Sequence, residues 1–263
     1  MRLTKSTMVA VLIMCVFVGF INHSYAQSSV FAPIWLEKGV YAEYSFGNGF
    51  RPSPINASDY VTYDKGIIKW ECIDLKGNDA KLRLVLSFYT DTGDCVDAIS
   101  GEVRVNAVNR SVYGTDGTLL GTTQLWQEPN PITDVIIWNT EETKIFGKVE
   151  SNGYNMKTPQ GLQEIYYVTG NGTINDKKDA VFSGFYDVNT GLLINGLLWN
   201  EPTLTAINAQ LMNGPTLSDT NIDLGPSVET TNFSLLILML IIIGTFIGIF
   251  IMVYWKRSNK KRR

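Results

Sequence analysis

Histidine, the side chain most often used in general acid–base catalysis, occurs once in this sequence, at His23. His23 lies in an N-terminal segment that we predict to be removed, so the mature chain would contain no imidazole. This excludes Ser-His-Asp and Cys-His catalysis and histidine-containing zinc sites. The sequence also contains no GxxxxGK[ST] loop and no GxGxxG opening a helix. We therefore expect no catalytic residue, no metal site and no cofactor.

Carboxylate chemistry remains available, and its best candidate is Glu201. Trp199-Asn200-Glu201-Pro202 is similar to the Asn-Glu-Pro acid/base segment of many retaining glycosidases. Those enzymes use a (β/α)₈ barrel of about 250 residues, whereas this chain shows no alternating helices. Because Gln127-Glu128-Pro129 occurs in the same context, we interpret the glutamate as part of a recurrent structural corner. A carboxylate-dependent hydrolase would need two acidic side chains about 5 to 9.5 Å apart in one cleft.

Two cysteines, Cys72 and Cys95, would remain in the mature chain and form a candidate disulfide, because an even number of cysteines in an exported chain favours pairing. A simple meander would place them on non-adjacent strands, further apart than the ~5.5 Å between Cα atoms that a disulfide requires. A bridge and two buried thiols therefore remain alternatives.

Four Asn-x-Ser/Thr sequons are candidate N-glycosylation sites. They begin at Asn56, Asn109, Asn171 and Asn232. Glycines flank Asn171, which favours a loop and makes this asparagine the best candidate of the four.

The N-terminus predicts a secretory signal peptide over residues 1–26. Arg2 and Lys5 precede an apolar run from Met8 to Ile21, and Ser24-Tyr25-Ala26 has the small residues of a cleavage site. The run of about 14 residues is shorter than the roughly 20 needed to cross a bilayer. We expect cleavage after Ala26 and export of the rest.

The C-terminus predicts one transmembrane helix over residues 233–255, which carry no charge. Residues 256–263 follow as a basic tail, which the positive-inside rule places in the cytoplasm. The sequence thus predicts a single-pass type I protein of the cell membrane with its N-terminal domain outside. Gly244 and Gly248, one turn apart, are candidate contacts for a weak homodimer through this helix.

Charge is divided unevenly along the chain. The 25 acidic residues all lie between the two predicted apolar ends, whereas eight of the 22 basic residues lie in those ends. The outer region is therefore strongly acidic, which argues against nucleic acid as a partner.

Residues 27–211 predict an all-β extracellular domain: an antiparallel sheet, a sandwich or a half-open barrel. Apolar residues alternate with polar ones with period two, as in Leu82, Leu84 and Leu86. Turns with glycine, such as Asp91-Thr92-Gly93-Asp94 and Asn189-Thr190-Gly191, separate these runs.

The region also contains an internal repeat at an interval of 73 residues. Val112-Tyr113 with the Leu-Trp-Gln-Glu-Pro that follows recurs as Phe185-Tyr186 with Leu-Trp-Asn-Glu-Pro. We infer two related β units, residues 36–129 and 130–202. The Gly-, Pro- and Ser-rich residues 212–232 predict a stalk with a final strand around residues 221–224.

The segment Tyr186-Asp187-Val188-Asn189-Thr190-Gly191-Leu192-Leu193, the Leu-Trp that follows it, Thr220-Asn221-Ile222 and the apolar C-terminus resemble uncharacterised archaeal-type surface proteins. Those secreted proteins carry a Tyr-Asp-x-x-Thr-Gly-Leu-Leu hairpin in a β-rich exterior with a C-terminal membrane anchor. The resemblance covers mainly residues 110–255. It implies a surface location and a β-rich fold, but no reaction.

These observations favour a non-catalytic, membrane-anchored surface protein with a binding or structural role and an unidentified surface partner. The alternative is a carrier that holds a lipid or another apolar ligand in a concave sheet. The carrier requires an apolar cavity of several hundred cubic ångströms, whereas a filled interior favours the surface module. A carboxylate-dependent hydrolase ranks third.

Overall fold

The computed structural model describes residues 32–52, 60–174, 177–198, 201–209, 211, 214–228 and 237–245. The predicted signal peptide and the predicted cytoplasmic tail lie outside these residues. Within these residues the folded region has fourteen strands and a short helix: β1 (Tyr41–Phe46), β2 (Gly49–Pro52), β3 (Tyr60–Tyr63), β4 (Lys65–Lys76), β5 (Asp79–Tyr89), β6 (Cys95–Asn106), β7 (Ser111–Tyr113), β8 (Leu119–Thr122), β9 (Val135–Asn139), β10 (Lys144–Thr158), β11 (Gly161–Ile174), β12 (Lys177–Asp187), β13 (Leu193–Leu197), α1 (Pro202–Ala206) and β14 (Thr216–Thr220). Residues 237–245 are also helical.

Twelve of the strands form one antiparallel sheet in the order β8-β7-β6-β5-β4-β1-β14-β13-β12-β11-β10-β9, and β2 and β3 form a separate hairpin. Both predicted β units contribute to this sheet, and β14 joins them by pairing with β1 and β13. The two end strands, β8 and β9, lie next to each other. The sheet is thus barrel-like and nearly closed, which confirms the all-β prediction.

The alternation of apolar and polar residues along the strands gives the sheet one buried face and one exposed face. On β5, Leu82, Leu84 and Leu86 are buried, while the alternating residues Lys81 and Arg83 are exposed. One face of each such strand leaves water, and burial of each leucine contributes about 1.5–3 kcal/mol.

The predicted turns also form as expected. Gly77, Gly93, Gly117 and Gly191 each have a positive φ between +59° and +88°. This is the left-handed region that glycine enters without the cost of a Cβ clash.

Residues 214–228 differ from the predicted stalk. A final strand is present, but it covers Thr216–Thr220 instead of residues 221–224. Ile222 and Leu224, which follow it, are buried. The Gly- and Pro-rich composition of this segment therefore describes a strand and its packed exit from the sheet, and these residues belong to the folded domain.

The predicted transmembrane helix over residues 233–255 is wrong. Among the described residues of this segment, helix is present at residues 237–245. Within the part of the chain that the structure describes, no helix has both the length and the apolar character needed to cross a membrane. Of the glycines proposed for a helix dimer, Gly244 lies in this short helix and Gly248 lies outside the described residues.

Three tryptophans fill the space enclosed by the first half of the sheet. The ring centroids of Trp35, Trp70 and Trp126 are 6.0–6.2 Å apart in each pairing. Trp70 and Trp126 have no exposed surface. Aromatic side chains at this spacing form a dense core, since tilted and edge-on contacts are favourable at 4.5–7 Å.

The two copies of the repeat contact each other across the core. The N–H of Gln127 donates to Gly191 O at 2.8 Å, and the N–H of Leu193 donates to Leu125 O at 3.1 Å. A Cβ on Gly191 would lie 2.1 Å from Gln127 O. Glycine is therefore required at this position both for its φ of +71° and for the close approach of the two copies.

Replacing Gly191 by alanine should lower the free energy of unfolding by roughly 2–4 kcal/mol, because the new Cβ displaces a backbone carbonyl as well as straining φ. Urea denaturation measures the effect. Gly93→Ala is the matched control, because Gly93 has a φ of +88° and open space around its missing Cβ. It should cost only about 1 kcal/mol, and equal losses in the two variants would contradict the proposed contact.

Candidate functional site

Glu201 forms the centre of a buried polar cluster. Its carboxylate accepts hydrogen bonds from Thr123 Oγ1 at 2.6 Å, from Gln124 N at 2.7 Å and from Thr203 Oγ1 at 2.8 Å. It also accepts from Thr203 N at 3.3 Å, which makes Glu201 the N-cap of α1, with Pro202 at the first helical position. The sequence favours this arrangement, because proline lacks an N–H and its φ suits a helix start.

This geometry explains the Asn-Glu-Pro segment without catalysis. Glu201 is 1% exposed, and donors from two segments of the chain occupy its oxygens. Burial raises the pKa of Glu201, while the hydrogen bonds from Thr123, Gln124 and Thr203 oppose the rise. A glycosidase acid/base must reach the substrate oxygen, so Glu201 is a structural residue, as the repeat suggested.

Arg110 lies next to this cluster and is buried, with a left-handed φ of 61°. Its guanidinium donates to Thr123 O at 3.0 Å, to Trp126 O at 3.1 Å and to Ile136 O. Burial lowers the pKa of Arg110, and the nearby carboxylate of Glu201 is among the groups that oppose this change. A planar guanidinium can satisfy several carbonyls at once, and these three belong to the two ends of the sheet.

Side chains from the β8 end complete the junction with β9, which we call the seam. Thr122 Oγ1 accepts from Asn139 N at 2.9 Å, and Gln124 Nε2 donates to Ile137 O. Together with Arg110, these side chains form hydrogen bonds to the backbone of β9. They take the place of the backbone hydrogen bonds that a neighbouring strand would form. The seam thus closes the sheet and leaves few backbone groups of β9 unsatisfied.

The Tyr-Asp-Val-Asn-Thr-Gly-Leu-Leu segment forms the tight hairpin between β12 and β13. Asp187 Oδ1 accepts from Asn189 N, Thr190 N and Thr190 Oγ1 at 2.7–3.1 Å. Thr190 O in turn accepts from Trp35 Nε1 at 2.8 Å. The motif is therefore a self-bonded turn that also anchors the tryptophan core.

The interior offers no space for a ligand where the second half of the sheet could have held one. The gap between Gln124, Ile137, Phe182 and Tyr186 has a volume of ≈ 0 Å³. Tyr166 and Tyr186 stack with centroids 5.6 Å apart, and Tyr166 OH donates to Glu128 O at 2.6 Å. A carrier cavity of several hundred cubic ångströms is thus not present at this place.

An open groove of ≈ 440 Å³ lies instead on the first half of the sheet, beside β4 to β7. Six charged side chains and one aromatic ring line it: Asp74, Lys76, Asp79, Lys81, Glu102, Arg104 and Tyr113. Acidic and basic side chains are equal in number there, although the predicted outer region as a whole is acidic. The groove is thus of mixed charge, and Ala80, Val103 and Ala206 add apolar surface to it.

Ion pairs organise the groove. Lys76 lies 3.0 Å from Asp74, Lys81 pairs with Glu102, and Arg104 stacks over the Tyr113 ring at 4.9 Å. Lys76 lowers the pKa of Asp74, and Lys81 lowers the pKa of Glu102. A hydrolase of the two-carboxylate type needs one acid with a raised pKa, and these two carboxylates shift the other way.

Both cysteines are free thiols: Cys72 is buried within β4, and Cys95 is exposed at the start of β6. Cys72 is opposite Leu82 on β5, whereas Cys95 is opposite Tyr89. Seven residues of strand separate these partners, roughly 24 Å. The candidate disulfide therefore does not form.

Two of the four sequons lie in the described residues, and both asparagines are exposed. Asn109 is in the turn before β7, where its Oδ1 accepts from Ser111 N at 3.0 Å. Asn171 is on strand β11, opposite Val181, and not in the predicted loop. Asn56 and Asn232 lie outside the described residues.

In the described part of the chain, no group of three or more His, Cys, Asp or Glu side chains could hold a metal ion.

Comparison with known proteins adds little. No family model and no curated protein matches the sequence. Among solved structures, the chain is similar to a candidate lipoprotein from Parabacteroides distasonis, with 8% identity and a TM-score of 0.32 over 70% of this chain and 96% of that one. A similarity of this size supports no argument about function.

Sequence reasoning missed Arg110, Gln124 and Thr122. Each is a polar residue in a segment without a recognised motif, and its partners are distant in the sequence. Arg110 is the middle residue of the sequon that begins at Asn109, and a sequon predicts an exposed segment. Arg110 and its neighbour Ser111 are instead buried.

The raised pKa of Glu201 predicts a pH dependence of stability. The folded chain holds a proton on this carboxylate more tightly than the unfolded chain does. The stability that this tighter proton binding adds is fully present below the ordinary carboxyl pKa and is lost as pH rises through the raised pKa. Relative to Glu201→Gln, the wild type should therefore lose stability as pH rises through this window, as urea midpoints would record. Thr123→Val removes a bond that lowers the pKa, so the loss should extend to higher pH. Parallel curves for wild type and Glu201→Gln would refute the assignment.

Arg110→Met should cost about 3–5 kcal/mol of stability, because three buried carbonyls lose their donor. Hydrogen exchange followed by mass spectrometry should show the fastest new exchange in β9, since the seam opens there first. Arg104→Met, which removes an exposed arginine from β6, is the control and should change stability by no more than about 0.5 kcal/mol. Uniform loss of protection across the sheet would contradict a local role for the seam.

Proposed function

We propose that the protein is a non-catalytic binding module of the cell surface, exported and folded outside the cell, which contacts its partner through the mixed-charge groove. The packed tryptophan cluster and the filled gap beside Tyr186 carry this proposal, because they leave the groove as the place for recognition. The export rests on the predicted signal peptide, and the surface location on that peptide and on the resemblance of residues 110–255.

The groove favours a polar partner segment that carries both charge signs. Its ion pairs are solvent-exposed, and such pairs are worth only about 0–1 kcal/mol, so a partner can replace them with its own charges at little cost. Tyr113 adds an aromatic surface next to Arg104, the pair of residue types most often dominant in protein interfaces. These features support a protein partner.

Exchanging the charges of Lys81 and Glu102 tests the groove. The double variant Lys81→Glu, Glu102→Lys keeps both the net charge and the ion pair, so its unfolding midpoint should match that of the wild type. Cross-linking on the surface of host cells should capture a partner with the wild type and lose it with this variant. The matched control exchanges Lys148 and Glu150, an exposed pair at 3.3 Å on β10, and should keep the partner. Retention by the groove variant would refute the proposal.

Mass spectrometry of lipids extracted from the purified chain tests the alternative carrier. A filled interior predicts no lipid at stoichiometric amount. A bound lipid present in equal amount, and released without unfolding, would favour the carrier over the surface module.

A further inference from the structure

We propose that Asn171 carries an N-linked glycan whose first sugars cover an exposed apolar strip on the outer face of β10 to β12. The inference rests on the export assumed in the proposed function. The strip lies on a different part of the sheet from the groove, and the proposal states what covers it.

The strip is defined by Phe146 on β10 and Val181 on β12. Phe146 is 56% exposed and Val181 is 42% exposed. Asn171 lies directly opposite Val181. Lys148 pairs with Thr169 on β10 and β11, and continuing this antiparallel register by two residues places Phe146 on the other side of Asn171. The sequon asparagine is therefore the middle residue of a row with an exposed apolar side chain on each side.

The strand presents the sequon outward. Both Asn171 and Thr173 are exposed, as alternation along a strand requires for residues two apart. A Cβ on Gly170 would lie 2.5 Å from Ile137, and one on Gly172 would lie 2.5 Å from Ile145. The flanking glycines thus let β11 lie close to the core, with Asn171 pointing away from it.

Phe146 is suited to a sugar. Lys144 Nζ lies over its ring at 5.1 Å, which helps to orient the ring on the sheet. More than half of the side chain still contacts water, a cost that a covering group would remove. The C–H groups of a pyranose supply such a cover, whereas its hydroxyls stay hydrated.

The modification is a group transfer from a lipid-linked oligosaccharide. The amide nitrogen Nδ2 of Asn171 bonds to the anomeric carbon, and the bond from that carbon to the phosphate oxygen breaks. The amide loses one proton, and the lipid phosphate leaves with the bonding electron pair. No electron transfer is involved.

The full chain, expressed in a eukaryotic secretory host, tests the site. Glycopeptide mass spectrometry should find sugar on Asn171, and Thr173→Ala should remove that mass completely, whereas Thr173→Ser should keep it. Protease shaving of intact cells reports export separately. An exported chain with unmodified Asn171 overturns this inference alone, while a chain retained in the cell overturns it together with the proposed function.

A fluorescent reporter tests the cover itself. In a Phe146→Trp variant, acrylamide should quench the new indole less when the glycan is present than in the Phe146→Trp, Thr173→Ala double variant. Tyr154→Trp is the control, because Tyr154 is exposed on β10 but pairs with Ile165, far along β11 from Asn171. Its quenching should not depend on Thr173. Equal quenching of the Phe146→Trp indole with and without the glycan would overturn the covering role.

Discussion

The nearly closed sheet depends on one junction in which side chains replace a strand ladder. Hydrogen bonds to the backbone of β9 come from the side chains of Arg110, Thr122 and Gln124. The Glu201 carboxylate accepts from Gln124 N and so fixes the segment that follows β8. An open edge at β9 would expose unpaired N–H and C=O groups, which invite pairing with another chain. Closing it with side chains requires charges in the core, and those charges are stable only because each is hydrogen-bonded several times.

The segment that forms this junction also fills part of the space inside the sheet. Residues 123–127 run from β8 across the core to the start of β13, where Trp126 and Leu192 form a bridge. This crossing segment carries Trp126 into the tryptophan cluster and occupies the space that a carrier would keep free. Closure and filling are therefore one structural feature, and recognition is left to the outer side of the sheet.

Local features of the fold could be predicted from the sequence, because they depend on neighbouring residues. The alternation of Leu82, Leu84 and Leu86 fixes which face of β5 is buried, and glycines at positive φ fix the turns. The seam could not be predicted, since Arg110 bonds Ile136 across 26 residues and Glu201 bonds Thr123 across 78. The transmembrane prediction for residues 233–255 rested on hydropathy alone, and no helix in the described part of the chain is long and apolar enough to cross a membrane.

The two Glu-Pro corners show why a repeated motif indicates structure before function. In the second copy, Glu201 is buried and caps α1 with its side chain. In the first copy, Glu128 is half-buried, and its backbone carbonyl, not its carboxylate, accepts the hydroxyl of Tyr166. Both corners follow a Leu-Trp pair in the sequence and contain a proline, which has no N–H to extend a ladder, and this shared feature is enough to explain the common sequence. In the second copy, donors from residues 123 and 124 reach the Glu201 carboxylate, so this corner also joins the two halves of the sheet.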